Sequence, residues 1–290
     1  MDSMREFGIG EGKYLRLYLE DCISGMQRHL EDESVSVVVT SPPYNLGINY
    51  SAYDDNVSRE EYLEWTDRWG REVRRVLSKQ GSFFLNVGSK PSDPMVPYQI
   101  LNVMCRHFVL QNVIHWVKSI AILKREVGDY PGITQDVVVG HYKPINSPRF
   151  LNDCHEYIFH FTIRGDVALD RLAVGVPYQD NSNVSRWARA SHGTHCRGNT
   201  WFIPYETIQN REKDRPHPAT FPVELPTRCI KLHGLERVQL VLDPFLGIGT
   251  TALACARLEL PFVGFEIAED YFEQACKRLT SELSQVKLEL

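Results

Sequence analysis

Apolar and polar residues alternate through 13–19, with Leu15, Leu17 and Leu19 on one side and Tyr14, Arg16 and Tyr18 on the other. This is the two-residue period of a half-buried strand. The alternation stops at Glu20-Asp21-Cys22, Ile23, Met26 and Leu30 then share one helical face, and a β-branched run at 35–39 ends in Thr40-Ser41-Pro42-Pro43-Tyr44. Ser58-Arg59-Glu60-Glu61 fits a capping box, and Tyr62, Trp65, Trp69, Val73, Val76 and Leu77 carry helical spacing up to Gly81. Short apolar runs at 82–87, 108–117, 155–163, 238–242 and 261–265 bring the strand candidates to seven, with helical patterns around 95–107, 250–257 and 268–283. Strands alternating with helices of this length predict an α/β fold, doubly wound around a seven-stranded, mostly parallel sheet. Two segments break the rhythm. Residues 119–152 are rich in Gly, Pro and polar residues, and 165–215 mix Asn, Ser, His, Arg and Trp without sustained periodicity. The second reads as a small inserted module dividing a catalytic domain into 1–164 and 216–290.

Composition narrows the class. The 290 residues are 43% hydrophobic and 24% charged, which excludes disordered and collagen-like chains. No apolar run approaches the ~20 residues that span a bilayer, and the first residues lack the apolar core of a signal peptide, so a cytoplasmic protein without membrane contact is expected. Seven cysteines, odd in number, scattered and never in a CxxC pair, suggest reduced thiols rather than a disulfide framework or zinc finger. His192, His195 and Cys196 have no fourth ligand at suitable local spacing, and no metal is expected. The net charge of −5 gives no global sign of nucleic-acid binding, although a local basic face would suffice.

Near the C-terminus, Val241-Leu242-Asp243-Pro244-Phe245-Leu246-Gly247-Ile248-Gly249-Thr250-Thr251 reads as a strand, a glycine turn and a helix start. Gly247 and Gly249 let the backbone bend and approach a ligand closely. The next strand ends in Glu266, where an acid can accept hydrogen bonds from a ribose diol. An adenosine-bearing cofactor is therefore implied. A nicotinamide fingerprint would also fit the glycines, but that fingerprint normally opens its domain, whereas here only one strand candidate follows it. Asp243 would repel a pyrophosphate and suits an amino-acid ammonium, so S-adenosylmethionine explains the acid better.

Ser41-Pro42-Pro43-Tyr44 follows a buried-looking strand, which in an open α/β sheet places it at the carboxyl edge where ligands bind. Consecutive prolines fix φ and supply carbonyls without a competing N–H. Such an acceptor array suits methylation of an exocyclic amino group, whose lone pair is conjugated into its ring. Bonds accepted from its N–H groups by the Ser41 hydroxyl and the Pro42 carbonyl would favour a pyramidal nitrogen. Tyr44 offers a face on which an extruded base could stack.

Taken together, these motifs resemble the DNA amino-methyltransferases of the permuted β class, in which an SPPY or DPPY motif precedes the cofactor motif, and the resemblance covers nearly the whole chain. It implies the S-adenosylmethionine-dependent methyltransferase fold, with Ser41, Pro42, Pro43 and Tyr44 catalytic. Asp243, Phe245, Gly247, Gly249, Thr250 and Thr251 match the cofactor loop, and Glu266 the ribose-binding acid. Asp21, with Cys22 beside it, matches the acid that contacts the adenine amino group, although Glu20-Asp21 stands where Gly-Asp is more common. His217, in His217-Pro218-Ala219, is similar to the motif that closes over the methionine end. Leu246 and Ile248 replace small residues often found beside the glycines. SPPY is more usual in N4-cytosine enzymes, which implies an N4-cytosine methyltransferase with N6-adenine as the alternative. The segment Asn152-Asp153-Cys154-His155-Glu156-Tyr157 also resembles a family segment near the target base, without a catalytic role being assigned to it.

Residues 186–215 carry six basic against three acidic side chains. Arg186, Arg189, Arg197, Trp187 and Asn199 are the candidate DNA contacts there, with Trp201 a further stacking plane and the arginines mainly on phosphates. Double-stranded DNA is the expected partner, with a cognate restriction endonuclease acting on the same site and a monomeric or homodimeric enzyme. A binding-only regulator that keeps the fold without turnover is the competing reading.

Overall fold

The valine-rich run of the first half of the chain lies at the middle of the sheet, buried at every position, as a parallel strand covered on both faces requires. The computed structural model describes residues 3–10, 12–48, 50–140, 147–178, 193–204 and 220–286. In chain order its elements are β1 (Met4–Gly8), β2 (Tyr14–Leu19), α1 (Cys22–His29), β3 (Val35–Thr40), α2 (Arg59–Val76), β4 (Leu77–Val87), α3 (Val96–Met104) and β5 (Val109–Val117). There follow β6 (Ser119–Ile122), α4 (Lys124–Val127), β7 (Val137–Gly140), β8 (His155–Thr162), β9 (Val176–Pro177), β10 (Thr194–His195) and β11 (Thr200–Phe202). The described chain closes with α5 (Glu224–His233), β12 (Val241–Asp243), α6 (Thr250–Arg257), β13 (Phe262–Glu266) and α7 (Glu269–Val286).

The main sheet has nine strands in the order β1-β2-β13-β12-β3-β4-β8-β5-β11. From β2 to β4 every neighbour is parallel, β8 runs antiparallel to β4 and β5, and β1 closes one edge antiparallel to β2. Val38, Phe83 and Leu85 face Met26, Tyr62, Trp69, Val73, Ile100 and Met104 of α1–α3. Leu15, Val37, Val39 and Phe84 face Leu225, Ile230, Leu253 and Phe272 of α5–α7. The fold is thus the doubly wound, mostly parallel α/β arrangement expected from the alternation of elements. Among the described residues, no helix is long and apolar enough to cross a membrane.

Nine strands replace the expected seven. The additional two, β1 (MREFG) and β11 (TWF), are edge strands, and an edge strand needs one partner and no continuous apolar run. Because β11 pairs in parallel with β5, residues 200–202 belong to the sheet and not to the module read over 165–215. Residues 119–140, without apolar periodicity, contribute the hairpin β6/β7. Helix α2 stops at Val76 instead of reaching Gly81 because Leu77 pairs with Val35 in the β3/β4 ladder. Its start is as the pattern predicts: the Ser58 hydroxyl accepts from the Glu61 amide and the Glu61 carboxylate from the Ser58 amide.

The strand order is what assembles a site. β12 and β13, late in the chain, slot between β2 and β3, so the loops after β2, β3, β12 and β13 emerge side by side at one carboxyl edge, the usual place for a ligand in such sheets.

Candidate active site

These four loops surround a cavity of about 1020 Å³ including its open mouth. Glu20, Asp21 and Cys22 come from the end of β2, Ser41–Tyr44 from β3, Asp243–Ile248 from β12 and Glu266–Ala268 from β13, while Tyr50, Tyr53, Trp65 and Tyr271 add aromatic wall. Glu20, Asp21, Asp243 and Glu266 line the cavity and no described lysine or arginine does, so the pocket disfavours a phosphate-bearing ligand and suits a neutral or cationic one.

The glycine loop is built as its composition demands. Gly247 and Gly249 have φ of 51° and 79°, the left-handed region that glycine enters freely. A Cβ on Gly249 would lie 3.0 Å from the Ala275 Cβ, so this glycine serves the packing of α6 on α7. Asp243 is buried, accepting from the Thr40 hydroxyl at 2.6 Å, the Thr251 hydroxyl at 2.7 Å and the Phe245 amide at 3.0 Å. Burial pushes its carboxyl up to about 6 against these bonds. Glu266 accepts from the Gly247 amide through Oε2 at 2.8 Å and from the Ala268 amide through Oε1 at 2.9 Å, and burial raises its carboxyl to about 7. Each oxygen retains a lone pair for a ligand donor. Asp21 caps α1 with Oδ1, which accepts from the Ile23 and Ser24 amides at 3.0 and 3.1 Å. Cys22 is buried beside it, and desolvation pushes its thiol well up. Phe245 packs edge-on against Trp65 and Trp69.

Of the residues assigned to the cofactor set, Asp21, Cys22, Asp243, Phe245, Gly247, Thr250 and Glu266 lie on the cavity wall. Gly249 and Thr251 stand behind it, shaping the turn and holding Asp243. His217 lies outside the described residues, as do Arg186, Trp187 and Arg189.

The proline loop is held from three directions. The Tyr62 hydroxyl donates to the Pro43 carbonyl at 2.7 Å. Asp55, buried, accepts from the amides of Asn45, Leu46 and Ile48 at 2.8–3.0 Å. Ser41 Oγ and Tyr44 Oη are 2.5 Å apart. Tyr44 is only 9% exposed, with its hydroxyl turned inward, so only part of its ring faces the cavity. Asn86 Nδ2 donates to Tyr44 Oη at 2.9 Å and to Glu156 Oε2 at 2.7 Å, and Glu156 Oε1 meets Lys118 Nζ at 2.9 Å.

Sequence reasoning left Asn86, Asp55 and Tyr62 unassigned and gave Glu156 no role; only the strand pairing of β4 with β8 and β8 with β5 brings Asn86 and Glu156 together. Further out, Arg197 donates Nε to the Val174 carbonyl and the exposed Asn199 donates Nδ2 to the Val113 carbonyl. Trp201 is 1% exposed, its indole N–H bonded to the Gly198 carbonyl. It is a core residue of β11 and not the stacking plane expected of it.

A family model for DNA methylases that act at N6 or N4 matches residues 35–277. Among curated proteins, the Type II methyltransferase M.HpaI of Haemophilus parainfluenzae is 29% identical over 272 residues, covering 93% of this chain and 75% of its own length. Among solved structures, the PvuII DNA methyltransferase (cytosine-N4-specific) superposes with a TM-score of 0.61 at 20% identity, covering 90% of this chain and 84% of that one, a likeness of fold. Protein TTHA0409 of Thermus thermophilus, solved in complex with S-adenosyl-L-methionine, gives a TM-score of 0.58 at 25% identity over 92% of this chain and 94% of that one.

Proposed function

The chain belongs to the N6/N4 DNA methylase family, and on that premise we propose that it transfers a methyl group from S-adenosylmethionine to the exocyclic N4 of a cytosine turned out of duplex DNA. The observation that carries this reading is the position of Ser41 and Pro42 on the wall of the same acidic cavity that Asp21, Asp243 and Glu266 line. Serine at this position, where the resembled family also uses aspartate, favours cytosine over the N6-adenine alternative.

The residues present fit the cofactor. Its carboxylates suit a diol, an exocyclic amine and an ammonium, and its aromatic wall suits a purine. Glu266 accepts from the ribose hydroxyls, Asp21 takes the adenine amino group through the oxygen not engaged in capping, and Asp243 supplies negative charge for the ammonium of the amino-acid end. When bound, S-adenosylmethionine supplies a methyl group activated by its sulfonium. The chain's own part is to place the target nitrogen. Ser41 Oγ and the Pro42 carbonyl accept its N–H groups, which turns the lone pair out of ring conjugation. With Tyr62 holding the Pro43 carbonyl, no donor among the described residues meets that of Pro42. The exposed part of the Tyr44 ring supports the extruded base. Arg186, Trp187, Arg189, Arg197 and Asn199 are proposed for the DNA, with His217 at the methionine end.

A site-specific modification enzyme paired with an endonuclease is the setting we propose. Expression in a bacterial host without DNA methylation, followed by single-molecule sequencing of its plasmid, tests the reading. N4-methylcytosine at one short sequence is expected. N6-methyladenine instead would move the assignment to the alternative, and unmodified DNA would overturn it.

A further inference from the structure

The geometry points to Glu156 as the terminal acceptor of a proton relay that begins at the reacting nitrogen and runs through Ser41 and Tyr44. The inference rests on the amino-methyl transfer proposed above and holds for either target base.

Ser41 Oγ is 2.5 Å from Tyr44 Oη, and the Tyr44 hydroxyl can donate to Glu156 Oε2 at 3.3 Å or to the Asn86 carbonyl at 3.2 Å. Asn86 fixes the polarity of this line. Its Nδ2 donates both to Tyr44 Oη and to Glu156 Oε2, and only the amide nitrogen can serve a carboxylate. Tyr44 Oη thus receives one hydrogen bond from Asn86 and can take another from Ser41 while pointing its own proton at Glu156. Bonds of this length in a ligand-free site shorten when charge develops.

A largely enclosed carboxylate is a costly choice at this position, even with Asn86 and Lys118 as partners. Glu156 and Lys118 are 13% and 17% exposed, and taking such a pair out of water costs more than apolar residues would. The next residue of β8 on the same face, Ile158, is apolar and buried, so the sheet accepts a hydrocarbon. Instead the strand delivers an acid to Tyr44, whose hydroxyl meets that of Ser41.

The step balances as follows. The nitrogen's lone pair forms the bond to the methyl carbon, the electrons of the carbon–sulfur bond leave on sulfur, and the nitrogen becomes cationic with one proton in excess. Ser41 Oγ takes that proton while its own passes to Tyr44 Oη, and the tyrosine proton passes to Glu156 Oε2. Serine and tyrosine end as they began, and the neutral carboxyl returns its proton to solvent after product leaves. Lys118, on the other oxygen, holds the carboxylate in line.

Replacement by alanine, with formate as an external acid–base in the space vacated, tests the relay. In single turnover with saturating S-adenosylmethionine and unmethylated duplex DNA, Glu156→Ala is expected to slow methyl transfer by about 10²-fold or more, with an unchanged dissociation constant for the cofactor. Formate restores the rate in proportion to its concentration, equimolar chloride does not, and Tyr44→Phe/Glu156→Ala is not restored. Glu156→Gln, which keeps the shape, is slowed equally and not rescued. A readout independent of turnover is the ¹³Cζ resonance of Tyr44, which shifts in Glu156→Ala and returns with formate. Wild-type rates in both single variants, rescue by chloride, or rescue of the double variant would each overturn the relay. A wild-type enzyme that methylates no DNA would instead overturn the functional reading beneath it.

Discussion

Cofactor affinity should depend on pH through Glu266. Its carboxyl is half-enclosed at the end of β13, with two backbone amides as partners, and desolvation raises it from 4.5 to about 7 despite them. A ribose diol donates two hydrogen bonds, so the ionised form is the one that binds. With that value, about a tenth of the sites are ionised at pH 6 and about nine tenths at pH 8, so the dissociation constant for S-adenosylmethionine should fall roughly tenfold across that interval. Binding at pH 6 should release close to one proton. The sign for folding is opposite: a raised carboxyl binds protons more tightly in the folded chain, which adds on the order of 3 kcal/mol to stability below pH 4.5, lost as pH rises toward 7. Titration calorimetry in buffers of different ionisation enthalpy measures affinity and proton release together. Asp243, raised to about 6, titrates in a neighbouring window, and the cofactor's own amino group titrates above it; comparison with Glu266→Gln isolates Glu266. A dissociation constant that stays flat from pH 6 to 8, or a pH dependence unchanged in the Gln variant, would refute the reasoning.

Tyr62→Phe removes the hydroxyl that fixes the Pro43 carbonyl. It should cost about 1 kcal/mol of stability and lower kcat while leaving cofactor binding intact, and an unchanged kcat would show that the loop needs no such brace. A buried chain runs from Asn112 Nδ2 to His160 Nδ1, from His160 Nε2 to Ser82 Oγ and on to His233 Nδ1, and burial lowers the two imidazoles to about 3 and about 4. Below pH 6.5 the unfolded chain takes up protons that the folded one refuses, so each histidine removes stability as pH falls. In urea unfolding, the gap between wild type and His233→Gln should narrow by about 2 kcal/mol from pH 7.5 to pH 5, and a constant gap would contradict the assignment.

How much of this was legible in the sequence follows from how local each signal is. The strand–glycine–helix run at 241–257, the prolines after 35–39 and the capping box at Ser58 declare themselves through neighbours within a few residues. The edge strands do not, because MREFG only half-buries alternate positions, TWF buries Trp201 alone, and each pairs on one side. Helix α2 shows local periodicity losing to tertiary structure, since Leu77 leaves the helical pattern to pair with Val35. The least legible features are those built across the sheet. Asn86 and Glu156 are 70 residues apart, and Thr40 and Asp243 are 203 apart. Glu156 looks like a polar residue at a strand end until β4 and β8 are paired. Trp201 misleads in the opposite direction: its polar surroundings suggest a surface, yet pairing with β5 carries the ring into the core.

The account turns on one reaction at one atom, and purified protein with methyl-labelled S-adenosylmethionine and unmethylated duplex DNA tests it most directly, with the DNA hydrolysed and its nucleosides resolved by mass spectrometry. The account predicts label on N4 of cytosine, abolished in Pro42→Ala while the cofactor still binds. Label confined to N6 of adenine would contradict the reading of Ser41, and bound cofactor with no label in any nucleoside would contradict the assignment of the cavity and the proline loop to a single methyl-transfer site.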